Sequence, residues 1–499
     1  MKKKKKKFFQ GALSTIILMC IIVMVLSFIL SLIGFDGYET YISNNKLESS
    51  LITVNNIFSV NGFKYLFTNS VTNFKLFEPL VLLIISLVGV SIADASGMLD
   101  PVFLPFKKIK GSFLSFLVIL MGVCITFFGS CSYVILFPLV AIMYKKIGRS
   151  PILGIITVFL GITLGYGTGI MFNYDSYVLG SLTQASAIVE VDKDYTFSLV
   201  STEYLMVIST FVISIILAHL IEKRVSVYFK KHEVLVSENG FSSPVLALFG
   251  ILILILVYMI VPGLPFSGLL LDNGSVRYID KLFGANSPFS NSFVCIFSLI
   301  LSICGLFYGY LKGIKSSDTY VKGITETFNG FGYLFVLMFF VSQLQGIIEW
   351  TNVGNVLGSK MIDFMSNLQL SGAFLIVIFF IIVVIMSILI PSTSAKWILS
   401  SPVVVPLFMR SNITPDFTQF VFQVADSVGK GLTPVFAYFI VMIGFMHKYS
   451  TEDDRSYNIV DTLKVTLPIT LIMAFVWISI VVLWFISGLP IGINGFSTL

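Results

Sequence analysis

Long apolar segments alternate with short polar loops along nearly the whole chain. Each is at least about 18 residues long, the length needed to cross the hydrocarbon core of a bilayer. The predicted spans are 8–32, 78–96, 151–187, 199–221, 245–261, 293–311, 331–348, 415–446 and 465–486. This pattern predicts an all-α polytopic membrane protein with about nine transmembrane helices.

Two further apolar stretches, 111–144 and 371–408, contain a polar break in the middle. The first has lysines and arginine on both flanks, which indicates that both of its ends are cytoplasmic. We therefore predict a re-entrant hairpin with its tip at Ser130 to Ser132. The second stretch contains IPSTSAKW at 390–397 and follows an external loop. It predicts a hairpin entered from outside, with its tip at Ser392 to Ser394.

Two of the predicted spans are interrupted by glycine or proline. The sequence GYGTGIMFNYDS breaks 151–187 near Asp175, and GKGLTP breaks 415–446 after Lys430. Backbone groups inside a bilayer need internal partners, so broken helices persist where they line a cavity. Ionisable residues at that depth are costly and indicate function. We therefore expect the window 390–434 to hold a substrate site.

The order of span, hairpin and broken helix occurs twice. The second hairpin tip, helix start and break lie 262, 264 and 256 residues after the first, at Ser392, Pro415 and Lys430. Because the hairpins enter from opposite sides, the halves form a predicted inverted repeat, as in many secondary transporters. The predicted divisions are 1–75 (first helix and external loop), 76–190 (first repeat), 191–325 (scaffold), 326–450 (second repeat) and 451–499 (last span).

Composition and charge agree with a membrane protein. The 499 residues are 56% hydrophobic and 12% charged, and the mean hydropathy is +0.94. The net charge of +6 does not indicate nucleic-acid binding, because the basic residues flank spans. Predicted cytoplasmic loops hold 22 of the 32 lysines and arginines and external loops 8, which leaves Lys396 and Lys430 in the membrane. This asymmetry places the N-terminus in the cytoplasm and the C-terminus outside.

Three sequence blocks carry a resemblance to a known family. They begin at FEPLVLLIISLVGVSIADASGML, at GRSPILGIITVFLGITLGYGTG and at PSTSAKWILSSPVVVPLF, the last continuing as ITPDFTQFVFQVADSVGKGLTP. Over about residues 75–450 the chain resembles the AbgT family of p-aminobenzoyl-glutamate transporters. The resemblance implies a homodimeric, cation-coupled carrier with nine spans and two hairpins. Members import p-aminobenzoyl-glutamate or expel sulfonamide antimetabolites.

The resemblance also implies particular site residues. The family's functional positions correspond to Asp175, Ser394, Trp397, Pro415, Asp426 and Pro434. Two departures bear on the choice of substrate. Gln423 stands where family members carry an arginine, and the first hairpin lacks the usual acidic residue and longer turn. Lys430 lies seven residues after Gln423, on about the same helix face, and we expect it to supply the missing positive charge.

The candidate residues fall into two sets, each with a structural alternative. Hydroxyl, carboxyl and amide oxygens suit a hard cation such as sodium, and the predicted cation site contains Ser130, Ser132, Asn173, Asp175, Ser392 and Thr393. Helix capping or satisfaction of turn backbone would explain the same residues. The predicted substrate site contains Ser394, Trp397, Pro415, Gln423, Asp426, Lys430 and Pro434. Core packing of Trp397 and a purely structural Asp426–Lys430 pair are the alternatives.

The sequence favours a secondary active transporter of p-aminobenzoyl-glutamate or a similar small aromatic carboxylate. It would be coupled to a cation, with sodium preferred, and work by alternating access in a bacterial cell membrane. Alternatives are an exporter of sulfonamide-type antimetabolites, a carrier of another organic anion such as a dicarboxylate, and a passive channel. An intramembrane enzyme is disfavoured, because the predicted membrane core offers no histidine and few acids. No cofactor and no nucleic-acid partner is expected.

Overall fold

The computed structural model describes residues 11–43, 46–190, 192–229, 234–235, 243–450 and 458–499. Within these ranges the chain is helical apart from one two-stranded sheet and an isolated bridge. Nine of the described helices are long and apolar enough to cross a membrane. Nine such helices are the pattern of a multi-pass membrane protein.

The first part of the chain contains a long helix, a β-hairpin and the elements of the first predicted repeat. In order these are α1 Ala12–Leu32, β1 Asp36–Ser43, β2 Lys46–Thr53, α2 Val60–Thr68, α3 Ser70–Lys75, α4 Glu78–Ala95, α5 Leu99–Phe103, α6 Gly111–Ile125, α7 Cys131–Lys146, α8 Pro151–Gly165 and α9 Tyr174–Glu190.

Five helices follow before the second predicted repeat, and seven more complete the described chain. The first group is α10 Glu203–Leu220, α11 Ser243–Ile260, α12 Tyr278–Phe283, α13 Pro288–Leu311 and α14 Ser317–Phe328. The second group is α15 Gly332–Thr351, α16 Val353–Asn367, α17 Gly372–Leu389, α18 Thr393–Arg410, α19 Pro415–Leu432, α20 Ala437–Tyr449 and α21 Ile459–Ser487.

The number nine agrees with the sequence prediction, but the set of helices differs. Seven predicted spans are continuous helices: α1, α4, α10, α11, α13, α15 and α21. The other two that are long and apolar enough are α6 with its 3₁₀ extension, Gly111–Phe128, and α17, which were predicted as hairpin arms. The predicted spans 151–187 and 415–446 are each split into two helices by the expected breaks.

The segment after α1 contains more structure than the polar external loop that the sequence predicted. Strands β1 and β2 pair antiparallel from Asp36 opposite Thr53 to Ser43 opposite Lys46. β1 packs closely on α16: a Cβ added to Gly37 would lie only 2.1 Å from Ser359 Oγ, so the Ser359 side chain would have to move to admit a larger residue. The residues Tyr38, Thr40, Tyr41 and Ile42, which favour strands, were the available signal.

The two ends of the first predicted hairpin lie together. Arg149, just after α7, donates from Nη1 to the carbonyl oxygen of Gly111, the first residue of α6, at 3.4 Å. Its Nη2 pairs with Glu222 Oε1 at 2.7 Å. Lys146, at the end of α7, lies 2.6 Å from Asp94 Oδ1 near the end of α4. The segment therefore turns back on itself, while its depth in a bilayer stays a prediction.

The second predicted hairpin is formed by α17 and α18. Phe379 in α17 and Phe408 near the end of α18 pack with ring centroids 5.2 Å apart. The helices are separated by Ile390 to Ser392, and the Ser392 hydroxyl accepts a hydrogen bond from Ala395 N at 3.2 Å. Ser392 is thus the N-cap of α18. The first arm ends and the second begins within three residues.

The first helix of each broken pair lies at the centre of the fold. Every residue of α8 is buried, and so is every residue of α19 except Asp416 and Leu432. By contrast, Val245 is the one buried residue of the described helix α11, whose apolar side chains face outward. Helices α8 and α19 occupy equivalent places in the predicted repeats and position the charged residues described next. The domain boundaries themselves stay a prediction.

Candidate functional site

The break after α8 is held by the side chain of Asn173. Its Nδ2 donates to Tyr166 O at 2.8 Å, and its Oδ1 accepts from Ser176 N at 2.7 Å and from Ser176 Oγ at 3.0 Å. Asn173 therefore caps α9 and satisfies freed backbone groups of the break. The cap directs Asp175, in the first turn of α9, toward the centre of the protein.

The second break separates α19 from α20, whose axes differ by 40°. Pro434 lies in this break, and Gln345 of α15 donates from Nε2 to Val435 O at 2.8 Å. Gln343 likewise donates to Ser70 O at 2.9 Å. Gln345 thereby joins α15 to the second break, and Gln343 joins the same helix to the start of α3.

The two hairpin tips and the two breaks surround one cavity of about 180 Å³. Its walls carry three ionisable residues with carboxyl or amino groups, Glu78, Asp175 and Lys430. The remaining lining residues are Ser130, Tyr133, Tyr166, Pro391, Ser392, Thr393, Ser394, Phe436 and Tyr438. The structure thus brings together both predicted tips and residues from both breaks.

Lys430 is enclosed by carboxylates and aromatic rings. Its Nζ lies 3.1 Å from Asp426 Oδ2 and 3.9 Å from Asp175 Oδ2. It also lies 4.6 Å from the ring centroid of Tyr166 and 5.7 Å from that of Phe436. Aromatic faces within about 6 Å attract an ammonium group. The predicted i,i+4 pair between Asp426 and Lys430 is therefore present, and Asp175 extends it across the cavity.

Asp426 accepts four hydrogen bonds or ion pairs from three helices. Lys396 Nζ lies 2.6 Å from Oδ1, and the hydroxyls of Ser387 and Thr393 each donate at 2.7 Å. Lys430 completes the set. Lys396 is fully buried and also donates to Ile390 O at 2.9 Å. Lys396 was predicted to lie in the membrane but was not among the predicted site residues. Its place about one turn after the tip was the available signal.

The hydroxyl groups at the tips already have partners. Ser130 Oγ donates to Glu78 Oε1, Ser132 Oγ donates to Gly129 O, and Thr393 donates to Asp426. Glu78, the first residue of α4, also lines the cavity but was not among the predicted site residues. Hydropathy could not reveal this, because a span end and a cavity wall have the same local sequence pattern.

Several predicted substrate residues lie outside the cavity lining. Trp397 is fully buried, donates from Nε1 to Thr183 Oγ1 at 3.0 Å and packs on Phe422 with centroids 4.5 Å apart. Gln423 Nε2 donates to Ser176 Oγ at 3.1 Å. Pro415 starts α19, about 16 Å along the helix from Asp426. Their binding roles, with that of Pro434, stay predictions.

Larger cavities lie elsewhere in the described part of the chain. One of about 290 Å³ adjoins the central cavity through Glu78, Pro391, Phe436 and Tyr438, and its wall also carries Glu349. One of about 470 Å³ lies at the two ends of the first predicted hairpin, with Arg149 and Glu222, themselves paired, in its wall.

Another of about 830 Å³ lies on the far side of α9 against α12, with Arg277 in its wall. Arg277 is paired with Asp280 at 2.7 Å and mostly exposed. The buried charges on broken helices make the smaller central cavity the functional candidate.

The fold and site define the class of this protein. Two helical hairpins meet two broken helices at a charged cavity inside a multi-pass membrane protein, which is the organisation expected of a transporter. Residues 12–499 match the family described as "AbgT putative transporter family". The chain belongs to this family, as the sequence resemblance indicated.

Known proteins similar to this chain agree with the assignment. The p-aminobenzoyl-glutamate transport protein of Escherichia coli K12 is 24% identical over 491 residues, which cover 95% of this chain and 92% of that protein. The YdaH transporter of Alcanivorax borkumensis superposes with a TM-score of 0.49 at 25% identity, covering 97% of this chain and all of that chain.

A second solved structure is that of Neisseria gonorrhoeae MtrF, from a class of antimetabolite efflux pumps. It superposes with a TM-score of 0.48 at 24% identity and covers 98% of both chains. Both TM-scores are below 0.5, so the assignment rests on the family match and not on these superpositions.

Proposed function

We propose that this chain is a secondary active transporter that carries a small aromatic carboxylate and couples its movement to a cation gradient. p-Aminobenzoyl-glutamate is the first compound to test, because a relative similar over almost the whole chain is named for its transport. The observation that carries the proposal is the meeting of both hairpin tips around Asp175 and Lys430.

The cavity wall supports binding of an aromatic anion. Lys430 provides a positive charge at the cavity surface, and its 3.9 Å contact with Asp175 is longer than an optimal ion pair. A substrate carboxylate entering the cavity would replace Asp175 as a partner of Lys430. The rings of Tyr133, Tyr166, Phe436 and Tyr438 line the same space and offer faces for an aromatic substrate.

The size of the cavity supports a moving hairpin. Pockets for small molecules usually measure about 300–1,000 Å³, whereas this one measures about 180 Å³. The space between the tips is therefore too small by itself for a two-part substrate such as p-aminobenzoyl-glutamate, and the adjoining cavity of about 290 Å³ would have to take the rest. Separation of the tips at Ser130 and Ser394, as alternating access by a hairpin-bearing transport domain demands, would also enlarge the space.

One observation favours a second candidate, the export of a neutral or weakly charged aromatic antimetabolite such as a sulfonamide. The cavity wall carries two carboxylates, Glu78 and Asp175, against one ammonium, Lys430. The adjoining cavity adds Glu349. A dianion approaching through these residues would meet net negative charge, whereas a sulfonamide would not.

Counterflow in proteoliposomes separates these candidates. Vesicles loaded with unlabelled p-aminobenzoyl-glutamate should accumulate the labelled compound transiently if the chain carries it, and protein-free liposomes should not. A sulfonamide added outside should compete if it uses the same cavity. Counterflow of labelled sulfonamide without counterflow of p-aminobenzoyl-glutamate would select the second candidate. Absence of both would reject the proposed substrate classes.

We further propose that the carrier works as a homodimer in a bacterial cytoplasmic membrane, with the N-terminus inside and the C-terminus outside. The distribution of lysine and arginine between the predicted loops supports this orientation. Crosslinking of the purified protein in lipid at high dilution tests the dimer. Cysteine accessibility, described in the Discussion, tests the orientation.

A further inference from the structure

Lys430 has the surroundings of a bound cation. Its Nζ is placed between two carboxylates from different helices, 3.1 Å from Asp426 and 3.9 Å from Asp175. The rings of Tyr166 and Phe436 lie within 6 Å and offer further attraction to a positive charge. The side chain is 8% exposed. Two carboxylates and two rings thus hold an ammonium that the chain itself supplies.

The oxygen atoms of Asp426 leave little room for another cation. Oδ1 contacts Ser387 Oγ at 2.7 Å and Lys396 Nζ at 2.6 Å. Oδ2 contacts Thr393 Oγ1 at 2.7 Å and Lys430 Nζ at 3.1 Å. A carboxylate oxygen offers about two lone-pair sites, so both oxygens are filled. A sodium ion could use Asp426 only by displacing one of these donors.

Two other oxygens of the predicted cation site already accept hydrogen bonds. Asn173 Oδ1 accepts two bonds from Ser176, and the Ser392 hydroxyl accepts one from Ala395 N as the N-cap of α18. A sodium ion bridging Asp175 and Asp426 would compete with the Lys430 ammonium, which lies 3.9 and 3.1 Å from these carboxylates. Like-charge repulsion at a separation of about 4 Å, with an effective dielectric constant of about 20, weakens binding on the order of a thousandfold.

We propose that the Lys430 ammonium is a resident cation that occupies the place between Asp175 and Asp426, so that the two hairpin tips close without sodium. This proposal differs from the predicted cation site, in which Asp175 and the hydroxyls of the tips bind sodium. The consequence for coupling rests on the proposed transport function: solute movement should be independent of sodium. The occupancy of the site by Lys430 rests on its distances to Asp175 and Asp426. It does not depend on the transport function and is therefore tested separately.

The test measures sodium binding and not transport. Purified full-length protein is heated at increasing NaCl concentrations, with choline chloride added to keep the ionic strength constant. Size-exclusion chromatography then measures the folded fraction. We expect no sodium-specific stabilisation of the wild type. Lys430→Gln removes the resident charge, and its unfolding temperature should rise with sodium, since a ligand that binds only the folded state stabilises it. The expected gain in sodium affinity is roughly a thousandfold.

Lys464→Gln is the matched control, because Lys464 pairs with Asp461 at 3.1 Å on the surface, and it should behave as the wild type. Sodium-specific stabilisation of the wild type overturns the proposal. A folded Lys430→Gln protein that ignores sodium also overturns it. Lys430→Asn provides a second neutral variant if the first does not fold. Failure of counterflow would reject the proposed substrate and leave this result standing.

Discussion

Replacing Lys396 by methionine tests whether the buried charges hold the second hairpin closed. Methionine keeps most of the side-chain volume but removes the 2.6 Å contact with Asp426 and the bond to Ile390 O. Breaking a buried ion pair costs about 3–5 kcal/mol. Because Asp426 retains Lys430, Ser387 and Thr393, we expect the lower end for Lys396→Met, about 3 kcal/mol. Asp426→Asn leaves two buried ammonium groups and should cost about 4–5 kcal/mol.

The double variant Lys396→Met with Asp426→Asn isolates their interaction. It removes both partners and leaves Lys430 beside Asp175, so its cost should fall short of the sum of the single costs by about 1–3 kcal/mol. Unfolding of purified protein by denaturant in one fixed detergent measures all four proteins. Additive costs would refute an energetic coupling between Lys396 and Asp426. Lys430→Met with Asp426→Asn should remain destabilised, because Lys396 then lacks its carboxylate.

Three further predictions concern the scaffold of the site. A cysteine at Asn273 should react with a membrane-impermeant thiol reagent only from outside, and one at Lys315 only from inside. A cysteine at Lys230, which lies outside the described residues, should also react only from inside. Labelling of all three from one face would contradict the topology. Asn173→Ala removes the cap of α9 and should lower stability by about 1–2 kcal/mol, measured by thermal unfolding; an unchanged value would contradict the capping role. Asp416→Ala removes the acceptor of hydrogen bonds from Tyr195 and Ser201, at 2.8 and 2.6 Å, and should lower stability by about 1–3 kcal/mol. The control Asp461→Ala, at an exposed position, should cost under about 0.5 kcal/mol. Equal costs would contradict a stabilising role of Asp416.

The helical architecture could be predicted because a bilayer imposes it. Length and hydropathy identify helices such as α4 and α13, and glycine or proline marks the breaks at Asn173 and Pro434. The same logic fails for the arms of the hairpins. α17 is as long and apolar as a spanning helix, so its contact with α18, through Phe379 and Phe408, indicates that the chain turns back.

The charged centre was predictable in part. Asp175 and Lys430 stood out because carboxylates and amines are rare inside apolar segments. Lys396 was not assigned a role, because its partner Asp426 lies 30 positions further along the chain on a different helix. Sequence spacing does not show such a pairing. Glu78 was missed for a similar reason: it begins a helix, and only the fold brings the Ser130 tip to it.

Trp397 illustrates the opposite difficulty. A tryptophan beside a serine-rich tip suggests stacking on an aromatic substrate, yet its indole N–H is donated to Thr183 and its ring packs on Phe422. The side chain joins the second hairpin to α9 of the first predicted repeat. Whether it contacts substrate depends on another arrangement of the hairpins, which local sequence does not encode.

Counterflow by Lys430→Gln tests the central claim, that solute passes through the cavity between the two hairpin tips. Lys430 lines this cavity, and glutamine keeps most of the side-chain length while removing the charge that would hold a substrate carboxylate. Folded Lys430→Gln protein, reconstituted in equal amount, should lose counterflow of labelled p-aminobenzoyl-glutamate, while surface Lys464→Gln should match the wild type. Wild-type counterflow by folded Lys430→Gln would contradict the claim.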